Sequence, residues 1–199
     1  QSYFEAMKAA GNYAFANRSS ATQQLRGALR AHMGSDIDVD VVYDVCHNIA
    51  RLENHEVHGV SCTCCVHRKG ATRASGGDSV ELSAKFSGIG QPVLVPGDMG
   101  TSSYVMAGPK NGTNRAFGSS CHGAGRALSR TEAREKIDGA AVKRELAEKG
   151  ISIYETHEKY LSEEAPSAYK DVDEVIRLTA NSGLARPVAR LRPLIVIKG

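Results

Sequence analysis

"SSCHGAGRALSR", Ser119 to Arg130, sets one histidine inside a run of small residues with two arginines close behind. His122 follows Cys121 and is followed by Gly123, Ala124 and Gly125; Arg126 and Arg130 come next. Glycines let backbone N–H groups approach a ligand without a Cβ in the way. A neutral imidazole is a nucleophile toward phosphorus or carbon near pH 7. Arginines pair with phosphate as forked donors, and a helix starting near Leu128 would add partial positive charge at its N-terminus. A plain glycine turn carrying an incidental histidine accounts for the same string without chemistry.

Working outward, the flanking segments alternate between helical and strand character, which gives an α+β class with mixed sheets, flanking helices and glycine-rich active-site loops. Residues 2–33 carry Ala, Leu, Met and Tyr at three- and four-residue spacing, with Gly11 as a soft spot and Gly34 as a stop, and predict a helix. "DIDVDVVYDV", 36–45, is β-branched and partly alternating and predicts a strand. "EVHGVSCTCCVHRKG", 56–70, predicts one or two short strands and a basic turn, and a Gly/Ser-rich loop follows over 71–90. "QPVLVPGDMGTSSYVMAG", 91–108, gives two strands around a turn. Residues 127–149 have helical composition broken near Gly139, and "ISIYET", 151–156, predicts a strand. Residues 167–183 predict a helix with Gly183 as its cap. "PVARLRPLIVIKG" closes the chain as a strand ending at Lys198.

Composition narrows the classes. The chain has 199 residues, 41% of them hydrophobic, enough for one compact domain or two small lobes. A net charge of +3 falls well short of a histone-like binder but permits phosphate partners. No apolar run approaches the roughly 20 residues that span a bilayer, and no secretory pattern is present, so no membrane role is expected. Five cysteines, three of them crowded at Cys62, Cys64 and Cys65, argue against a disulfide scaffold and for a reducing cytoplasm. The chain opens on Gln1 and is expected to be a piece of something longer.

Other constellations carry chemistry less specifically. His47, between Asp44 and Asn48, is a candidate metal or phosphate ligand, against a structural histidine; a metal site needs three or four ligands. His55, His58, Cys62, Cys64, Cys65 and His67 crowd together. Cys62 and Cys65 fit the first half of a zinc spacing, but no second cysteine pair follows, and strand alternation places Cys62 and Cys64 on one face with Cys65 and His67 on the other. Small buried thiols in a core strand are favoured. Arg68, Lys69 and Arg73 around Gly70 suit a phosphate or RNA backbone, or form a solvated basic turn. Lys198 ends an apolar strand and would need a partner if it pointed inward.

Six strings follow one another in the order and rough spacing of a single family: "DVCHNIA", "VHRKGATRA", "GQPVLVPGDMGTSSYV", "FGSSCHGAGRALSR", "EEAPSAYKDVDEVI" and "PLIVIKG". With the opening "YFEAMKAAGNYAFANR", they resemble the RtcB RNA ligases over nearly the whole chain. The resemblance implies a GTP- and manganese-dependent ligase that joins RNA 2′,3′-cyclic phosphate or 3′-phosphate ends to 5′-hydroxyl ends. Its RNA partners would be tRNA exon halves or broken RNA ends, and an accessory activating protein would be a further partner. His122 would attack the GTP α-phosphate and become guanylylated. His47 would be a manganese ligand, with Asn48 against the nucleotide. Pro96, Gly97, Asp98, Met99 and Ser103 would form part of the guanylate pocket. Gly123, Ala124 and Gly125 would hug the phosphates, Tyr169 would stack on guanine and Lys198 would reach the base. Lys69 and Arg126 would contact RNA or phosphate. Many members carry serine where this chain has Asp98. Members are much longer, with further cysteine and histidine metal ligands in an N-terminal part. Residues 1–199 are therefore expected to be the C-terminal part of one catalytic domain, with one manganese ligand of several and no ligation on its own. The alternative is a non-catalytic fragment that binds RNA or nucleotide.

Overall fold

The computed structural model describes residues 2–154 and 157–192. The chain divides into two compact units, 1–69 and 70–199, each taken here by itself.

The first unit is one long helix, an extended segment and a hairpin. Helix α1, Ser2–Met33, places Phe4, Met7, Gly11, Ala14, Arg18, Thr22, Arg26 and Leu29 as its less exposed positions, the three- and four-residue rhythm of one helical face. Gly11 lies close against Ile49, with 3.3 Å between its would-be Cβ and the Ile49 side chain. Residues 36–45 are not a strand, contrary to their composition. The Arg18 guanidinium pairs with Asp44 at 2.6 Å, and Arg26 donates to the Val39 carbonyl at 2.8 Å. The segment is held by helix side chains, and β-branched residues make a strand only where a second backbone supplies the ladder.

Strands β1, Asn48–Val57, and β2, Val60–Lys69, pair antiparallel from Asn48 opposite Lys69 to Val57 opposite Val60. His58 and Gly59, both at positive φ, form the two-residue turn that such a hairpin favours. A buried ion pair fixes one face of it. Arg68 donates two hydrogen bonds to Glu53, at 2.7 and 2.9 Å, and the side chains are only 2% and 11% exposed. His55 Nε2 meets the same carboxylate at 3.0 Å.

Among its described residues, the second unit has a three-stranded antiparallel sheet, a short two-stranded ladder and four α-helices. Strands β4, Pro92–Val95, β5, Ser103–Ala107, and β7, Arg186–Leu191, run in the order β4-β5-β7. Strands β3, Ala71–Arg73, and β6, Ser119–Cys121, form the ladder. Val93, Val95 and Met106 of the sheet meet Ala74, Ala124, Val172, Ile176 and Ala185 in one core. Val172 and Ile176 are one helical turn apart on α5, Val172–Asn181, so a single face of that helix enters the core. Gly183 follows the last turn at φ 68°, as the cap reading expects.

A second core joins Val142 and Leu146 of α3, Gly139–Glu148, to Leu161 of α4, Glu158–Glu163, and Ala165. Ile151 and Ile153 pack against it from an extended segment. Residues 151–154 therefore alternate in burial as the strand reading expected, but they form no strand, and the rest of that segment lies outside the described residues. Helix α2, Arg130–Lys136, starts two residues later than Leu128 because Ser129 and Glu132 close a capping box there. The N–H of Glu132, at its N-terminal end, is taken by the Ser129 side chain.

Burial by itself raises the Glu53 pKa and is the largest single influence, but the hydrogen bonds from Arg68 and His55, with their charges, outweigh it and hold the carboxyl below its usual value. A carboxylate depressed in the folded state stabilises fully above its unfolded pKa, near 4.5, and loses that contribution as pH falls through the folded value. Glu53→Ala removes the carboxylate that pairs with the buried Arg68 charge, and the expected cost at pH 7 is about 3 kcal/mol. Urea unfolding of both chains at pH 7 and at successively lower pH should show that gap narrowing as the medium becomes more acid than 4.5.

Candidate functional site

The second unit gathers three of the quoted strings around His122. The β3–β6 ladder sets Ala71 opposite Cys121, Thr72 opposite Ser120 and Arg73 opposite Ser119. One step beyond its end, Gly70 lies beside His122: a Cβ at Gly70 would sit 3.5 Å from Nε2 and 3.6 Å from Cδ2 of the imidazole. Gly70 is at φ +66°, a conformation that glycine adopts at no steric cost. The ring is half-buried, and its Nε2 edge faces the Gly70 backbone.

The loop after His122 is laced to two other segments through its backbone. The Ala124 N–H donates to the Pro96 carbonyl at 3.1 Å, and a Cβ at Gly123 would lie 3.5 Å from the same oxygen. The Lys170 N–H donates to the Gly125 carbonyl at 3.0 Å, and the N–H groups of Ala127 and Leu128 both donate to Ala168. Arg126 and Tyr169 form an isolated antiparallel bridge between the two segments that cross here. Ala124 is buried in the sheet core, so it offers its backbone and not its side chain.

The 96–103 turn is self-supporting. Gly97 donates to Ser103 Oγ at 3.2 Å. Asp98 is 5% exposed; one carboxylate oxygen accepts from the Gly100 N–H at 2.7 Å and the other from Thr101 Oγ1 at 2.9 Å. A Cβ at Gly97 would fall 2.2 Å from the Ser102 carbonyl oxygen, so only glycine fits there. Met99 packs on the second core. Asp98 thus shapes the loop through both its oxygens, a local role that sequence reasoning did not assign to it.

Tyr169 is held on several sides. Its hydroxyl donates to Glu164 and accepts from Arg126 Nη1 at 3.2 Å. The Arg126 guanidinium lies 4.9 Å from the ring centroid. Arg126 also donates to the Leu128 carbonyl at 3.0 Å and the Glu163 carbonyl at 2.5 Å. Burial and then the Glu164 hydrogen bond push the Tyr169 phenol up to about 12. Arg126, expected at phosphate or RNA, is directed into this clamp. Arg130 pairs with Glu163 at 3.4 Å and Arg73 pairs with Glu81.

In the first unit, His47, Asn48 and Lys69 are exposed at the open end of the hairpin, with Asn48 opposite Lys69 in register. Arg68, one residue earlier, is buried on Glu53 and is no solvated phosphate ligand. The thiols are not core residues: Cys62 and Cys64 are half-buried and Cys65 is exposed. Lys198 lies outside the described residues. Among the described residues, no three His, Cys, Asp or Glu side chains are grouped so as to hold a metal. No described helix is long and apolar enough to cross a membrane.

Two neighbours of the site were missed in the sequence reading. Gly70 stands in the quoted "HRKGATR" string but was valued only for its basic flanks. Glu164 stands in "EEAPSAY", and nothing local in that string marks which glutamate returns to the tyrosine.

A half-buried histidine framed by glycine and backbone, on a loop shared by three segments of an α+β unit, defines a protein built to present one imidazole. The profile of the family described as tRNA-splicing ligase RtcB matches residues 1–199, and the chain belongs to that family. The tRNA-splicing ligase RtcB of Archaeoglobus fulgidus is 46% identical over all of this chain and 42% of its own length. The RNA-splicing ligase RtcB homolog 1 of Entamoeba histolytica is also 46% identical, over all of this chain and 38% of its own. The tRNA-splicing ligase RtcB of Pyrococcus horikoshii is 44% identical, over all of this chain and 23% of its own. The chain thus spans less than half the length of these curated relatives.

Glu164→Gln should lower the Tyr169 phenol pKa below about 12 while leaving it above 10, because burial, the larger cause, remains. Ultraviolet titration, with the Tyr169→Phe curve subtracted, reads that shift directly. Gly70→Ala should cost about 1 kcal/mol of stability from its positive φ, and should slow modification of His122 by diethylpyrocarbonate relative to the unsubstituted chain.

Proposed function

We propose that the chain carries the nucleotidyl-transfer centre of a GTP- and manganese-dependent RNA ligase. In this reading residues 1–199 supply the C-terminal part of one catalytic domain, working in the cytoplasm in tRNA splicing and RNA repair. The observation that carries it is the placement of His122 Nε2 beside Gly70, on a loop whose backbone is bound to Pro96 and to the segment of Tyr169.

His122 Nε2 attacks the α-phosphate of GTP; the new N–P bond forms as the bond to the β-phosphate oxygen breaks and pyrophosphate leaves. GMP then passes from nitrogen to the RNA 3′-phosphate, a cyclic phosphate having first been opened. The 5′-hydroxyl oxygen attacks the activated phosphate and GMP departs. A single imidazole splits one difficult exchange into two easier ones. Pro96, Gly97, Met99 and Ser103 line the guanylate side, with Asp98 shaping their turn. Gly123 and Gly125 offer backbone N–H groups toward phosphate oxygens, which suits the fixed-donor stabilisation phosphoryl transfer needs, while the Ala124 N–H, engaged on Pro96, holds the loop in place. Tyr169 presents a ring whose orientation is fixed before a base arrives. Asn48 and Lys198 complete the nucleotide contacts, and Lys69 contacts RNA.

Manganese in this family role supplies charge neutralisation at the phosphates. His47 contributes one ligand toward it; the described residues do not gather the remainder, so no step is assigned through the ion. That same observation favours the second reading, a fragment that binds nucleotide or RNA without turnover.

Intact mass after incubation with GTP and manganese separates the readings. One GMP adduct is expected on the chain and none on His122→Ala; an adduct that persists in the variant would exclude His122 as the nucleophile. No adduct on either, with RNA affinity that falls steeply with salt, would support binding alone. Joined RNA from the 199-residue chain by itself is not expected, and its appearance would show the metal set to be complete.

A further inference from the structure

The sequence contains a single Asn-Gly pair, Asn111–Gly112, in the loop between β5 and β6. Both residues are exposed, and Gly112 is at φ 70°, outside any helix or strand. Asparagine followed by glycine is the pair most open to spontaneous deamidation, because no side chain shields the attacking backbone nitrogen. Here that nitrogen is engaged. The Gly112 N–H is shared between the two carboxylate oxygens of Asp78, at 2.9 Å from each. Gly76 is buried against the same peptide: a Cβ there would collide with the Gly112 carbonyl oxygen and lie 2.9 Å from its nitrogen. The Gly77 N–H donates to the carbonyls of Pro109 and Lys110, at 3.1 and 2.9 Å, so the residues just before Asn111 are tied to the same glycine pair.

We propose that Asn111 is a deamidation site and that the Asp78 carboxylate holds it in check. In the reaction the Gly112 nitrogen gives up its proton and bonds to Cγ of Asn111. The bond from Cγ to the side-chain nitrogen breaks, and ammonia leaves with the proton. Water then opens the cyclic imide to aspartate or isoaspartate, with no change of oxidation state. The first step needs a deprotonated nitrogen. Two carboxylate oxygens that accept its N–H favour the protonated form, and their negative charge opposes an anion at the same place. Ring closure also moves the nitrogen toward Asn111 Cγ, which close packing on Gly76 resists. Either product places a new carboxylate one residue from the Asp78 contact, and like charges repel. Isoaspartate also lengthens the backbone by one carbon, so Gly112 no longer meets Asp78 in register. The far end of this loop is tied to the start of the ladder strands, where the Ala74 N–H donates to the Gly118 carbonyl at 2.6 Å. Modification therefore loosens the segment that leads into β6.

Peptide mapping by mass spectrometry over a time course at mildly alkaline pH tests this, on the folded chain and on the same chain in urea. Asn111 is expected to deamidate readily in urea and about tenfold or more slowly when folded. Asp78→Ala should remove most of that protection in the folded chain. Asp78→Asn, which keeps an acceptor oxygen without the charge, should fall between the two. The Asn181–Ser182 pair reports folding in the same digests: the Ser182 N–H is held by the Leu178 carbonyl at 2.9 Å at the end of α5. Its rate should be the same in every folded chain. Equal Asn111 rates in the folded and urea-treated chain would overturn the proposal. So would Asp78→Ala and Asp78→Asn rates that match the unsubstituted chain while Asn181 is unchanged. Acceleration at Asn181 as well as Asn111 in both variants would assign the protection to the fold as a whole and not to Asp78, and would equally overturn it.

Discussion

Three backbone pairs between Ala71–Arg73 and Ser119–Cys121 determine where the imidazole of His122 sits. The ladder is short, yet it joins positions about fifty residues apart and ends where both motif strings reach their chemically distinctive residues. Because strand register is fixed residue by residue, pairing Ala71 with Cys121 leaves Gly70 and His122 as the next neighbours. Any other residue at Gly70 would combine an unfavourable positive φ with a side chain at Nε2. The next constraint follows from the same loop: Ala124 is buried, and its N–H must find an acceptor, which Pro96 supplies. The 96–103 turn is thereby bound to the histidine loop through main chain, and side-chain changes on either segment leave that link in place.

Much of the polar chemistry around His122 is directed into the protein. Asp98 has both oxygens engaged with Gly100 and Thr101, and a buried carboxylate accepting such bonds makes a rigid turn. The aspartate here therefore does not imply a negative group presented to a phosphate. Arg126 behaves in the same way, with donors on Leu128, Glu163 and Tyr169. A tyrosine packed under a guanidinium and hydrogen-bonded to a carboxylate has one orientation before any ligand arrives, and preorganisation of that sort lowers the entropic cost of binding.

The parts of the fold that local pattern governs were legible in the chain. Helix α1 announces itself by spacing, β4 and β5 by apolar runs either side of "PGDMG", and the break before Gly139 by composition. Residues 36–45 and 151–154 were misread for one reason: β-branched and alternating residues specify an extended backbone, but only a partner makes it a strand. The start of α2 was missed because the Ser129–Glu132 capping box outweighs the helical composition of Ala127 and Leu128, whose N–H groups go to Ala168 instead. At the site, His122 could be singled out from its neighbours alone, while Gly70 and Glu164 could not. Their roles depend on which distant residue the ladder and the crossing bring to them, and spacing in one string holds no record of that.

The basic residues show how far charge counting can mislead. Of the arginines that the sequence offers near its motifs, Arg68 is buried on Glu53, Arg73 pairs with Glu81, Arg126 clamps Tyr169 and Arg130 pairs with Glu163. The net charge of +3 is therefore a poor guide to what phosphate meets. What the second unit presents near His122 is chiefly glycine backbone, which binds anions through N–H dipoles without a counter-charge of its own. A centre of that kind fixes the position of a phosphate more than it neutralises it. Neutralisation of an anion held in that way would have to come from a separate source. Positioning by backbone and neutralisation by charge are thus separable tasks, and the ladder and loop around His122 are suited to the first.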